Sequence, residues 1–138
     1  GTIGDHGAAI IQARENLSLS SDILSDSAPL NGLIAGILNA SPNVHCMRDA
    51  TRGGLGAILA EIAKSAQMRF DIHERAIPVQ DSVRGVCEIL GFDPLFLANE
   101  GKMILFCSQS DAKAVLAAMQ KHKYGRTAAI IGSVSKAE

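Results

Sequence analysis

VHCMRDATRGGLGAILAEIAKSAQMRFDIH, residues 44–73, reads as a strand, a glycine-marked turn, a helix and a second strand. Val44 to Met47 form a short extended run. After Gly53 and Gly54 the apolar residues Leu55, Ile58, Leu59 and Ile62 recur at helical spacing, which predicts an amphipathic helix over about 53–65. Met68, Phe70 and Ile72 then alternate with Arg69, Asp71 and His73, the period-2 pattern of a half-buried strand, and Pro78 closes that segment. Upstream, Leu30, Leu33, Ile34, Ile37 and Leu38 predict a helix over about 29–40 with Pro29 in its first turn. The acidic patch Ser20–Asp26 is expected to cap it.

Downstream, a helix over about 80–90 carries Val83, Val86 and Leu90 and is expected to stop at Gly91, where a left-handed residue is tolerated. Asp93-Pro94 opens an extended run to Leu97. Asn99-Glu100-Gly101 turns the chain into Lys102–Ser108, an apolar strand, and the two runs are expected to form a hairpin. Ser110 or Asp111 caps a helix with Val115, Leu116 and Met119 inward, Gly125 ends the exit, and Ala128–Val134 forms a last strand, giving a βαβ-like ending. Helices and strands thus interleave without repeat, low-complexity tract or linker. The expected fold class is α+β, a mixed β-sheet covered by helices in layers, built as one domain over residues 1–138.

With 47% hydrophobic residues the chain has enough apolar surface for a core. Thirteen basic against 14 acidic residues leave a net charge of −1, which offers no field for nucleic acid or an anionic membrane surface. No run approaches the roughly 20 apolar residues of a membrane span. The three cysteines, Cys46, Cys87 and Cys107, sit apart in apolar contexts, so they read as core fillers and the compartment as cytoplasm. His45, His73 and His122 lack the spacing of a helical metal pair, and no metal site is expected on this chain.

Three motifs carry polar groups suited to chemistry. In Arg48-Asp-Ala-Thr-Arg-Gly-Gly54 a strand gives way to a helix whose first N–H groups and macrodipole attract anions. Arg48 and Arg52 add charge-assisted donors, Thr51 a hydroxyl, and Asp49 a carboxylate able to meet a divalent cation. A tight turn with a capped helix and surface ion pairs explains the same residues, and the spacing is not that of a Walker A loop. Gly1-Thr-Ile-Gly-Asp-His-Gly7 surrounds Asp5 and His6 with glycines that permit close backbone approach to a ligand; a flexible terminus or a cap at Asp5 is the plainer reading. In Ala98-Asn-Glu-Gly-Lys102, Glu100 is a candidate general base with Lys102 as its tuning charge, against the alternative of a turn with a solvated Glu100–Lys102 ion pair.

Taken in order, GTIGDHG at 1–7, APLNGL at 28–33, HCMRDATRGGL at 45–55, AIPV at 76–79, LGFDPL at 90–95, ANEGK at 98–102 and GRTAAIIG at 125–132 closely resemble the C-terminal domain of the hydrogenase maturation family HypE. That family belongs to the superfamily of aminoimidazole ribonucleotide synthetase and selenophosphate synthetase. The resemblance spans the whole chain. It implies a PurM C-terminal-domain-like, partly ferredoxin-like fold, and an ATP-dependent carbamoyl dehydratase that converts a thiocarboxamide on its own C-terminal cysteine to a thiocyanate, the source of the cyanide ligands of nickel–iron hydrogenase. It implies ATP and Mg2+ as cofactors, bound mainly by an N-terminal domain outside this sequence, as is the cysteine tail. HypF, the HypC–HypD iron-carrying scaffold and a homodimer of the full-length protein are the implied partners.

Carried onto these residues, the resemblance places nucleotide and anion binding on Asp49, Thr51, Arg52, Gly53 and Gly54, with Asp5 and His6 near the inter-domain cleft. Glu100 takes the place of the base, and Lys102 that of a residue steadying the anion or phosphate. Ala50 stands where the family commonly has proline, which is expected to loosen the turn. The chain alone is expected to be inactive. Two other functions fit the same pattern: a related ATP-dependent synthetase or kinase acting on a small metabolite, and a partner-docking module using the helices at 80–90 or 111–122.

Overall fold

Met103-Ile-Leu-Phe-Cys107 is apolar at every position because the strand it forms is covered on both faces. The computed structural model describes residues 1–15 and 22–137. In chain order it has helix α1 (Asp5–Arg14), α2 (Asn31–Ala40), strand β1 (Val44–Asp49), α3 (Gly54–Ala66), β2 (Met68–Ile72), α4 (Asp81–Leu90), β3 (Met103–Cys107), α5 (Ala112–Lys121) and β4 (Gly132–Lys136). Short 3₁₀ turns lie at Glu74–Ala76 and Pro94–Phe96.

β1 pairs antiparallel with β3, Asp49 opposite Met103 and Arg48 opposite Ile104, with an irregularity between Val44 and Cys46. Ile104 and Phe106 point into a core shared with Leu55, Ile58 and Leu59 of α3. Met103, Leu105 and Cys107 point the other way, onto Leu33 and Ile37 of α2 and Val115 and Met119 of α5. The strand's period of two thus feeds two helical layers. β2 pairs antiparallel with β4 from Met68–Lys136 to Ile72–Gly132, and Phe70 meets Phe106 at a ring distance of 5.2 Å, joining the two ladders. A third cluster packs Ala8 of α1 against Val83, Val86 and Cys87 of α4, with Ile23 and Leu97.

The layered α+β class holds, as do the strand–helix–strand reading of 44–72 and the arrest of α4 at Gly91, whose φ is 72°. Both ladders are antiparallel. Several finer expectations are corrected. Pro94–Phe96 is a 3₁₀ turn, started by Asp93 Oδ1 accepting from the Leu95 N–H at 2.9 Å, so no hairpin forms there and β3 pairs with β1. The last strand begins at Gly132 and runs beside β2, so the ending is not βαβ: β3 and β4 lie in different ladders. α2 starts at Asn31, after Pro29, with Leu30 at its cap and no side-chain capping bond. None of the described residues of the acidic patch is at that cap; Ser20 and Ser21 lie outside the described residues, and Asp26 is spent elsewhere. Asp111 does sit at the α5 cap, but its carboxylate reaches back to Ser41 Oγ at 2.6 Å and Asn43 Nδ2 at 3.0 Å, tying the end of α2 to α5. α1 was not legible, because Ala8, Ala9, Ile10 and Ile11 crowd together without a helical stripe.

The thiols follow the packing. Cys87 is buried, and burial pushes its pKa up, as it does for Cys107, which keeps both in the inert thiol form. No helix among the described residues is long and apolar enough to cross a membrane.

Candidate functional site

Residues far apart in the chain meet at Asn99, which has no exposed surface. Its Oδ1 accepts from the Gly4 N–H at 2.8 Å, while Nδ2 donates to the carbonyls of Ala50 at 2.6 Å and Leu97 at 3.2 Å. Backbone bonds run alongside: Gly7 N–H to Ala98 O at 3.0 Å, and Ala50 N–H to Lys102 O at 3.2 Å. The GTIGDHG, DATRGG and ANEGK motifs are thereby held as one unit. Ala50 donates a bond that a proline could not.

Glu100 follows directly. Its N–H donates to Asp26 Oδ1 at 3.0 Å, and its half-exposed carboxylate lies 3.8 Å from His6 Nε2. His6 Nδ1 is in turn 2.8 Å from Ser25 Oγ. The Glu100–Lys102 pair expected of a simple turn is not made. Lys102 Nζ instead lies 3.0 Å from Asp26 Oδ2, whose side chain is only 4% exposed. Among the described residues that oxygen accepts no well-directed hydrogen bond, and the close ion pair compensates its burial. Lys102 thus holds the 22–28 segment onto the turn. Gly101 is required for this contact, because a Cβ there would run into the Asp26 carbonyl.

Burial pushes the Asp26 carboxyl up, but the Glu100 N–H, the Lys102 ammonium and the Gly101 N–H together outweigh it and hold its pKa below the ordinary 3.8. A depressed folded value stabilises fully above the unfolded value and is lost as pH falls through the folded one. Thermal stability should therefore decline below about pH 4, and Asp26→Asn should flatten that limb; an unchanged limb in thermal scans would assign the acid loss to other carboxylates. Asp5 has the opposite sign. Burial raises its pKa, only partly offset by the Thr2 hydroxyl at 2.6 Å, and its Oδ1 has no hydrogen-bond partner among the described residues.

The residues expected to meet an anion lie at the β1–α3 junction. Gly53 and Gly54 have φ of 81° and 68°, in the left-handed region. Gly54 is closed to any ligand on its side-chain face: a Cβ there would lie 2.5 Å and 2.6 Å from the carbonyl oxygens of Leu95 and Leu97. Its role is packing the first turn of α3 onto the 3₁₀ turn. Gly54→Ala is expected to cost on the order of 3 kcal/mol through left-handed strain plus backbone displacement, read as a lower denaturant midpoint; an unmoved midpoint would show that the two turns separate freely.

Thr51, exposed Arg52 and Gly53 remain on the open side of the junction, and Gly53 at the cap of α3 offers it no side chain. Hydroxyl, guanidinium and uncapped helix form a donor set that fits phosphate. Arg48 is drawn off by Glu61 at 3.1 Å. Arg48, Asp49 and Thr51 rim a cavity of about 380 Å³ floored by Ile34, Met47, Ile58 and Met103. Exposed Asp49 could meet a cation there, but no group of three or more acidic, His or Cys residues able to hold a metal occurs among the described residues. Magnesium therefore does not fit this chain alone.

All 138 residues match the model of the AIR synthase related protein family, C-terminal domain. The chain belongs to that family. Within it, the resemblance read from the seven motifs holds. The chain is 52% identical to the carbamoyl dehydratase HypE of Azotobacter vinelandii over 97% of its own length and 39% of that protein's. It superposes with a TM-score of 0.95 and 44% identity on a crystal structure of a HypE–HypF complex, covering 99% of this chain and 45% of the other. With HypE in complex with ATP the TM-score is 0.93 at 43% identity, covering 99% and 41%. The chain thus spans about two-fifths of the length of the curated relatives it matches.

Sequence reasoning placed Glu100 and His6 in separate motifs, and the fold brings them together. It missed Asn99, Asp26 and Ser25. Asn99 carried one signal, a polar residue directly after the apolar run Leu95–Ala98; Asp26 and Ser25 carried none, since their partners are 74 and 19 residues away in sequence.

Proposed function

We propose that this chain is the C-terminal part of an ATP-dependent carbamoyl dehydratase of nickel–iron hydrogenase maturation, turning a thiocarboxamide on the protein's C-terminal cysteine into a thiocyanate. The relatives named carbamoyl dehydratase and the ATP-bound HypE structure support this reading. A single geometric observation carries the chemistry: a half-exposed carboxylate, Glu100, is fixed at its backbone by Asn99 and Asp26 and faces His6.

ATP, when bound, supplies the phosphoryl group that makes the amide oxygen a leaving group. Glu100 then takes protons from the amide nitrogen. Thr51, Arg52 and the Gly53 end of α3 would orient phosphate, with Asp49 beside Thr51 at the rim of the cavity. Lys102 acts through Asp26, holding the turn in place. Asp5 and His6 lie at the site's edge, where an N-terminal domain outside this sequence would bring most of the ATP and Mg2+ ligands. The chain by itself is therefore inactive. HypF, the partner in the related crystal structure, is a proposed partner here, as are the HypC–HypD scaffold and a second full-length copy in a homodimer.

The test is intact mass spectrometry of the full-length carbamoylated protein before and after ATP and magnesium. Loss of one water from the C-terminal peptide is the expected result. A folded, ATP-bound protein whose tail stays carbamoylated would overturn the reading in favour of a small-metabolite synthetase or kinase.

A further inference from the structure

We propose that His6 is a positioning residue for Glu100 that clears its proton within each turnover, with Ser25 as the outlet to solvent; this rests on Glu100 being the base. The carboxamide nitrogen carries two protons and the nitrile nitrogen none. Each N–H bond that breaks leaves its electron pair to build first C=N and then C≡N, while the oxygen departs on the phosphoryl group supplied by the nucleoside triphosphate. One carboxylate accepts one proton at a time, so Glu100 must be emptied between the two transfers.

The geometry supplies an exit. His6 Nε2 lies 3.8 Å from Glu100 Oε1 and Nδ1 lies 2.8 Å from Ser25 Oγ, so the ring bridges the carboxylate to an exposed hydroxyl. Ser25 Oγ also receives the Ser27 N–H at 3.2 Å, which holds it in place. The separation of 3.8 Å exceeds a hydrogen bond, and the relay requires a rotation of the half-exposed Glu100 side chain to close it. Both backbones are already fixed, His6 between the Gly4–Asn99 and Gly7–Ala98 bonds and Glu100 by Asp26. In the protonated relay the acid proton of Glu100 passes to Nε2, and the Nδ1 proton leaves through Ser25.

The other charged groups nearby are committed. Asp26 faces Glu100 only through the peptide N–H, Lys102 is paired with Asp26, and Asp5 is buried on Thr2. A bare surface ion pair of His6 with Glu100 would be worth under about 1 kcal/mol and would touch stability alone.

The experiment follows single-turnover dehydration of the full-length carbamoylated protein by intact mass, comparing His6→Ala, His6→Gln, Ser25→Ala and Glu100→Gln. Expected for His6→Ala is a fall of about 10- to 100-fold in rate with unchanged KM for ATP and unchanged melting temperature, partly restored by added imidazole. Imidazole should not restore Glu100→Gln. His6→Gln, which keeps a hydrogen bond to Ser25 but relays no proton, should be as slow as His6→Ala and carries the test if the alanine variant fails to fold. A slow Glu100→Gln beside His6 variants at full rate would overturn the relay and leave the base standing. A full-rate Glu100→Gln would overturn both. Slow His6 variants with a lowered melting temperature and no imidazole rescue would reduce His6 to scaffolding and overturn the relay.

Discussion

Asn99→Ala is expected to destabilise the protein by about 4 kcal/mol, the summed penalty of a buried Gly4 N–H and a buried Ala50 carbonyl left without partners. For a chain of this size that corresponds to a fall in melting temperature on the order of 10 °C. Asn99→Asp should be no better. It keeps an acceptor for Gly4 but sets a carboxylate against the carbonyls of Ala50 and Leu97 in a site closed to water. Chemical denaturation with a two-state fit measures the difference. A loss below 1 kcal/mol would mean that the Ala50–Lys102 and Gly7–Ala98 backbone bonds suffice to hold the three motifs together. Because Glu100 is the next residue, the same variant should also blur the position of the carboxylate, and dehydration in the full-length protein should fall with stability.

What the sequence made legible follows the range of the interactions involved. The strand–helix–strand unit from Val44 to Ile72 is written in local periodicity, and α4 ends where Gly91 permits a left-handed residue. Both depend on neighbours within a few positions. The pairing of β3 with β1 and of β4 with β2 is set by contacts across more than fifty residues, and β3, apolar at every position, gave no alternation from which to choose a partner. α1 was hidden because its buried face includes Asp5 and glycine-bounded Ala8 rather than a row of large apolar residues. At the site, residue types were readable and partners were not. Lys102 looked like the natural counter-ion of Glu100 two residues away, yet burial of Asp26 made it the stronger claimant on the ammonium. Gly54 was readable as a helix-start glycine, but that it packs on the 95–97 backbone was not.

Glu100→Gln should reduce dehydration in the full-length carbamoylated protein by about 10²- to 10⁴-fold, the usual loss on removing a general base, while leaving fold and ATP affinity in place. The separation of the two effects comes from how Glu100 is held. Its anchor to Asp26 is the backbone N–H, which glutamine retains, and its side chain is 46% exposed with His6 opposite. Nothing buried is orphaned by the change, so the melting temperature should move by no more than a surface pair allows. A carboxylate acting as scaffold would show the reverse, lost stability with retained rate. If rate and stability both survived, the proton acceptor would have to be another carboxylate with access to substrate. Asp26 is locked on Lys102 and Asp5 is buried on Thr2, so exposed Asp49 at the mouth of the β1–α3 cavity is the group to change next.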